Sequence, residues 1–315
     1  LQAYPSASLE ALLPIAPGAR RPLVQALGWE DAADLVDLLH ESAEVEASAN
    51  PDIGAIDVAR ARQAIDGAGP KLTKKVVATF KKAKFRPGLI KLLQATNGDH
   101  ADWIRNSLPK RNQLAVRAMA AAPIVDGFDE VRARFEWIRQ FRSEAKQFGS
   151  QRQGSERGAA DAALFNLATN AGYPDVTRLR LAVAASEPTP LPSWTIGEYE
   201  VGIDVVGARA QTSFQKGDKT LKTAPKQVKE SADYDAIKEA RKVVQGEAAD
   251  FSRMFESAMT VGDRFSPDEV MSLTTIPIAA TVLSGLVVRD GAATTARLVG
   301  CLLYTSDAAD DRPRV

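Results

Sequence analysis

YEVGIDV, residues 199–205, is the stretch at which the periodicity of this chain changes. Every second residue in it is apolar, and the residues between are charged or glycine, a period of two that is typical of a half-buried β-strand. Turn residues follow at Gly207 and at Gly217-Asp218. Residues 197–223 therefore predict a three-stranded meander.

Before this strand, the spacing of apolar residues is helical. Apolar residues recur at steps of three and four most clearly over 128–148, and shorter stretches of the same kind are separated by turn residues. Short helices joined by short turns, without a strict period, predict an irregular, HEAT-like helical repeat (α-solenoid-like) region over 1–187. The three prolines that follow remove backbone donors and predict a linker over 188–195.

After the meander, the sequence predicts further helices and then a second pair of strands. The spacing over 234–258 indicates a long helix with one buried side. SPDE at 266–269 supplies a capping serine, a proline for the first helical position and a glutamate that completes a capping box. Two short apolar stretches surround a glycine turn at 286–299. We therefore expect a mainly α chain whose second half, 196–300, is an α+β module.

The last residues differ in character from the rest. With one permitted set of codons, CLLYTSDAAD at 301–310 back-translates to a transposase sequencing adapter read in frame. We interpret 301–315 as a non-native tail that contacts nothing. On this interpretation the chain is a fragment of a larger protein, truncated near Gly300.

Composition excludes several classes of chemistry. The chain has 315 residues, 45% of them hydrophobic, which is ordinary globular composition, and no apolar run is long enough to span a membrane. Cys301 is the only cysteine, and His40 and His100 are the only histidines, so neither internal disulfides nor the usual zinc sites are expected. Neither common phosphate-binding glycine motif occurs. We expect no catalytic residue, no metal, no cofactor and no membrane partner, and a cytoplasmic location.

Charge is distributed unevenly although the whole chain is neutral. Residues 1–69 carry eleven acids and four bases, a net charge of −7, whereas 70–113 carry eleven bases and two acids, a net charge of +9. Such a basic stretch could neutralise phosphates of a nucleic acid. The alternative is a solvated face whose lysines pair with the acidic segment. The candidate nucleic-acid-binding residues are Lys71, Lys74, Lys75, Lys81, Lys82, Lys84, Arg86 and Lys91.

The second half also resembles a known family. YDAIKEARK at 234–242, FSRMFESAM at 251–259, TVGDRFSPDEV at 260–270 and IPIAATVLSGLVV at 276–288 occur in the order found in the MolR-like (molybdate-metabolism-regulator-like) family of large bacterial proteins. This resemblance implies a domain of unknown function, and no catalytic residue can be carried over from it. The chain departs from the family at Ile276, where a histidine before the proline is usual.

Together these features predict a non-catalytic scaffold or binding protein with a protein partner. Two alternatives remain open at this point. One is a nucleic-acid-associated regulator that uses the basic helices of 70–113. The other is an enzyme whose active site lies outside this fragment.

Overall fold

The computed structural model describes residues 4–49, 55–187, 190–289, 295–299 and 302–305. It divides into two compact units, Leu1–Leu179 and Arg180–Val315. The first is helical, and the second combines helices with small antiparallel sheets. The predicted fold class, mainly α with an α+β module, is confirmed.

The first unit is built from helices joined by short connections. They are α1 Ser6–Leu12, α2 Arg20–Leu27, α3 Ala33–Ala49, α4 Val58–Lys82, α5 Pro87–Ala95, α6 Ala101–Ser107, α7 Gln113–Ala121, α8 Gly127–Glu144, α9 Ser150–Asn170 and the start of α10 Val176–Ser186. Helix α4 packs against α3, α5 and α9, while α7 packs against α5 and α9. The apolar stripe predicted over 128–148 is confirmed, because Val131, Phe135, Ile138 and Phe141 of α8 are buried.

Helix α4 is interrupted at its middle. Gly69 has φ 69° and ψ 164°, a conformation outside the helical region, and Pro70 begins the second half. Only glycine adopts such a positive φ without steric cost, and proline is tolerated in the first turn of a helix, so this dipeptide ends one helical segment and starts another. The break changes the direction of the chain where its charge changes from acidic to basic.

The second unit contains a four-stranded antiparallel sheet in the order β1-β2-β3-β4. The strands are β1 Ser193–Ile196, β2 Tyr199–Val206, β3 Arg209–Lys216 and β4 Lys219–Leu221. The predicted meander of β2, β3 and β4 is confirmed, and β1 adds a fourth strand from within the stretch expected to be a linker. Helix α10 ends at Ser186, and residues 190–192 are neither helix nor strand.

Two helices of this unit pack on the sheet. The helices after the sheet are α11 Lys226–Lys229, α12 Tyr234–Val261, α13 Pro267–Thr274 and α14 Pro277–Ser284. Helix α12 packs on β2 and β3, and α14 packs on α12 and β2. Val201, Ile203, Val205 and Phe214 from the sheet share a core with Ile237 and Val244 of α12. The period of two in YEVGIDV thus arises because alternate side chains meet this helix.

A second small sheet has the order β5-β6-β7, formed by β5 Val287–Arg289, β6 Thr295–Val299 and β7 Leu302–Thr305. The first two are the strands predicted around the glycine turn. The expectation that residues 301–315 contact nothing is wrong for β7, which pairs with β6 through Val299–Leu302 and Ala296–Thr305. The rest of this tail lies outside the described residues, and its foreign origin stays a prediction.

Candidate functional site

Five lysines lie on one side of the second half of α4. Their spacing of three, four and seven residues places them within one face of a helix, and all five are exposed. We call this surface the lysine face; it consists of Lys71, Lys74, Lys75, Lys81 and Lys82. The opposite side of the helix carries Val76 and Phe80, both fully buried in the core of the unit. The apolar contacts of α4 therefore fix which way the lysines point.

The lysine face has no carboxylate partner among the residues that the structure describes. Three acidic residues of the N-terminal segment, Asp34, Asp37 and Glu41, pair with arginines of the same segment. Arg20 and Arg21 both contact Asp37, and Arg60 contacts Glu41 at 2.5 Å. Among the described residues, no lysine of this face forms an ion pair with the acidic segment, in which local arginines contact Asp37 and Glu41.

The other predicted basic residues lie in different settings. Lys84 and Arg86 are in the connection from α4 to α5, with positive φ values of 52° and 34°. Lys91 lies in α5 with its ammonium 3.2 Å from the centroid of the Trp103 ring. Burial lowers the pKa of Lys91. The structure thus groups five of the eight predicted residues on one face and engages Lys91 elsewhere.

Both histidines have structural contacts. His40 is buried, its Nε2–H donates to the carbonyl oxygen of Leu13 at 2.9 Å, and its ring meets Phe80 and Phe85 edge to face. His100 lies 3.3 Å from Gln94 Oε1. His100, at φ 69°, is the residue that precedes α6, and no side chain caps that helix.

Arg111 belongs to the basic stretch in sequence but not to a basic surface. Its guanidinium pairs with Glu156 at 2.7 Å and with Glu144 at 2.6 Å, and it lies 4.3 Å from the centroid of the Phe141 ring. These contacts raise the pKa of Arg111, with the hydrogen bond to Glu156 as the main cause. Arg111 therefore holds helices together and offers little free charge to a ligand.

A cavity of about 430 Å³ adjoins the break in α4. Ile65, Val77 and Leu93 supply an apolar wall, and Asp66, Asp99 and Lys74 supply charges of both signs. Sequence reasoning missed this cavity, since the residues that line it come from α4 and from the end of α5. The one signal in the sequence was the dipeptide at 69–70, which breaks the helix beside it.

The described residues contain no group of three or more histidine, cysteine, aspartate or glutamate side chains that could hold a metal ion. Among the helices in the described ranges, none is long and apolar enough to cross a membrane.

Two parts of the chain are similar to known families. Residues 102–183 match a family of unknown function (DUF5724), and residues 218–312 match a domain of unknown function (DUF4132). The second match covers the α+β module from the turn before β4 onward and extends into the predicted tail. No curated protein and no solved structure matches the chain. The prediction that the second half contains a domain of unknown function is confirmed.

Proposed function

We propose that this chain is a non-catalytic binding protein of the MolR-like family whose helical unit binds a polyanionic partner through the lysine face. A cytoplasmic location and an acidic protein surface as partner belong to the same proposal. One observation carries it: five exposed lysines share a face and have no carboxylate partner within the described residues. A surface that only kept the protein soluble would not require cations grouped in this way, because charges of both signs serve that purpose.

The non-catalytic part of the proposal is supported by the burial of His40. General acid–base catalysis by histidine needs a ring that can reach a substrate. The ring of His40 is 3% exposed and is enclosed by Leu13, Phe80 and Phe85. His100 contacts Gln94 and the edge of Trp103.

A nucleic acid is the second candidate partner, since the lysine face could contact its phosphates. All five cations of the face are lysines, which bind phosphates as point charges. The first and last of them are eleven residues apart along the helix, or about 16 Å at 1.5 Å per residue. The contacts would be to the backbone and would carry no sequence information.

The test is a charge reversal on the face, measured against two polyanions. We would replace Lys71, Lys75 and Lys82 by glutamate and follow the anisotropy of labelled duplex DNA and of labelled poly-glutamate at low salt. The matched control reverses three exposed lysines of the second unit, Lys219, Lys222 and Lys229, and changes the net charge equally.

The face variant should lose binding, and the control should keep it. Exposed substitutions of this kind usually change stability by less than about 0.5 kcal/mol each, so both variants should fold. Binding of poly-glutamate and not of DNA would favour the acidic protein partner, and the reverse would favour the nucleic acid. If the face variant and the control lost polyanion binding equally, the lysine face would not be the binding surface.

A further inference from the structure

The cavity beside the break in α4 has the features of a small-molecule site. In an unbroken helix the carbonyl of Asp66 would accept a hydrogen bond from the amide of residue 70, but that residue is Pro70, which has no N–H. One residue earlier, the hydroxyl of Thr73 donates across the break to the carbonyl oxygen of Ile65 at 3.4 Å. The interrupted ladder leaves a space of about 430 Å³ between α4 and residues 93–99, within the range of ligand pockets in proteins.

One wall of the cavity is apolar. Ile65 and Leu93 are buried in the core of the unit, and Val77 packs against the same core. These side chains are held by their neighbours, so this wall exists before any ligand arrives. An aliphatic or aromatic group placed against it would be removed from water.

The polar side chains of the cavity carry charges of both signs. Asp66 and Asp99 supply carboxylates. Lys74 supplies an ammonium group. The amides of Gln94 and Asn97 add neutral hydrogen-bonding groups. None of the three charged residues has an ion-pair partner among the residues that the structure describes.

This combination selects a class of ligand. A ligand that is only a cation would place its charge near Lys74, and a ligand that is only an anion would meet two carboxylates. A molecule with an ammonium group for Asp66 and Asp99, a carboxylate for Lys74 and an apolar body for the wall satisfies all three parts of the lining. We propose that the cavity binds a zwitterionic small molecule of the α-amino-acid type with an apolar side chain.

The site is separate from the proposed polyanion surface except at Lys74, which belongs to both. The charge-reversal test above leaves Lys74 unchanged for this reason. Loss of polyanion binding by that variant would therefore leave the cavity intact, and the two proposals can fail independently.

The experiment is a calorimetric titration of the full chain with three matched probes. L-Leucine carries both charges and an apolar side chain, isoamylamine lacks the carboxylate, and 4-methylpentanoate lacks the ammonium group. L-Leucine should bind most tightly of the three. Equal binding of all three probes, or no binding of L-leucine at millimolar concentrations, would overturn the proposal.

Two variants assign the charges. Asp99→Asn should weaken the binding of L-leucine and of isoamylamine by about tenfold each. This is the loss expected when a hydrogen bond to a charged group is removed. Lys74→Gln should weaken the binding of L-leucine by a similar factor, and isoamylamine should bind as tightly as before or more tightly. Both residues are exposed, so the fold should survive, and an unchanged thermal midpoint confirms this. If neither variant altered L-leucine binding, the ligand would be bound elsewhere on the chain.

Discussion

Arg111 Nη2 lies 2.7 Å from Glu156 Oε2, and the Glu156 side chain is only 1% exposed. Arg152 approaches the other oxygen of the same carboxylate at 3.0 Å. Arg111 also donates to the carbonyl oxygen of Phe141 at 2.8 Å. Arg111, which lies just before α7, therefore contacts both α8 and α9. A buried carboxylate with two arginine partners is stable only while both remain, since its charge has left water.

Replacing Glu156 by alanine should destabilise the protein by about 3 kcal/mol, because Arg111 would be left partly buried without its main partner. The loss is at the lower end for a broken buried pair, since Glu144 still contacts Arg111. Urea unfolding followed by tryptophan fluorescence measures it. Asp161→Ala is the matched control: the Arg142–Asp161 pair is exposed on both sides and should contribute less than about 1 kcal/mol.

The same carboxylate gives a dependence on pH. Burial alone would raise the pKa of Glu156, but hydrogen bonds from Arg111 and Arg152 outweigh it and hold that pKa below its usual value of 4.5. Burial of Glu130 is likewise outweighed, by hydrogen bonds from the amides of Asp126 and Val125 and from Arg134, so the pKa of Glu130 is also lowered from 4.5.

A carboxyl with a lower pKa in the folded state takes up its proton first in the unfolded state, so its contribution to stability is complete above the unfolded pKa. That contribution is lost as the pH falls below about 4.5 and through the lower folded pKa. Urea unfolding at a series of acidic pH values should show this decline, and Glu156→Gln should make it shallower. Parallel declines in the two proteins would mean that Glu156 does not titrate differently on folding.

Asn166 is a second buried polar contact between distant segments. Its Oδ1 accepts from the amide of Ile56 at 2.7 Å, and its Nδ2 donates to the carbonyl oxygen of Arg117 at 3.2 Å. Asn166→Ala would leave both backbone groups buried without this partner, and we expect a loss of about 2–3 kcal/mol in the free energy of unfolding. Asn106, exposed on α6, is the control, and its alanine variant should be close to neutral.

The capping box at the start of α13 is a prediction that the structure confirms. Ser266 Oγ accepts from the amide of Glu269 at 3.2 Å, and the Glu269 carboxylate accepts from the amide of Ser266 at 2.6 Å. Ser266→Ala should cost about 1 kcal/mol, measured as a drop in the thermal midpoint. Ser272→Ala, an exposed change within the same helix, should not lower that midpoint, because alanine favours helix.

These contacts show which parts of the fold could be predicted from the sequence. The capping box was predictable because its partners lie three residues apart and each has one role. Strand β2 was predictable because helices α12 and α14 pack on it, so that alternate side chains are buried. Strand β1 was not, since it begins directly after Pro192 and is held by a distant contact, the amide of Ile203 donating to the Pro192 carbonyl oxygen at 3.0 Å. Proline is tolerated beside an edge strand of this kind.

The candidate site shows the same limit. The spacing of the lysines on α4 is that of one helix face, but their lack of carboxylate partners depends on where the acidic residues of other helices point. Lys91 looks identical in sequence, yet Trp103, twelve residues away, engages it. The buried ion pair of Glu156 could not be predicted from the sequence, because its main partner, Arg111, is 45 residues away.

The dependence of binding on salt distinguishes phosphate contacts on the lysine face from other modes. If duplex DNA is the polyanion, log Kd should change with log salt with a slope of about 0.9 for each phosphate contacted. Replacing Lys71, Lys75 and Lys82 by glutamine should then reduce this slope by about 2.7, because three counterion-releasing contacts are lost. Anisotropy titrations with duplexes of two unrelated sequences should give the same reduction, since phosphate contacts do not read bases.

Lys91→Gln is the control for this measurement, because the Lys91 ammonium stacks on Trp103 and should contact no phosphate. For this variant, the slope of log Kd against log salt should match that of the unmodified chain. An equal reduction by Lys91→Gln would mean that the DNA contacts α5 as well as α4. A slope unchanged by the triple substitution would show that the lysine face is not where the DNA binds, whatever the affinity.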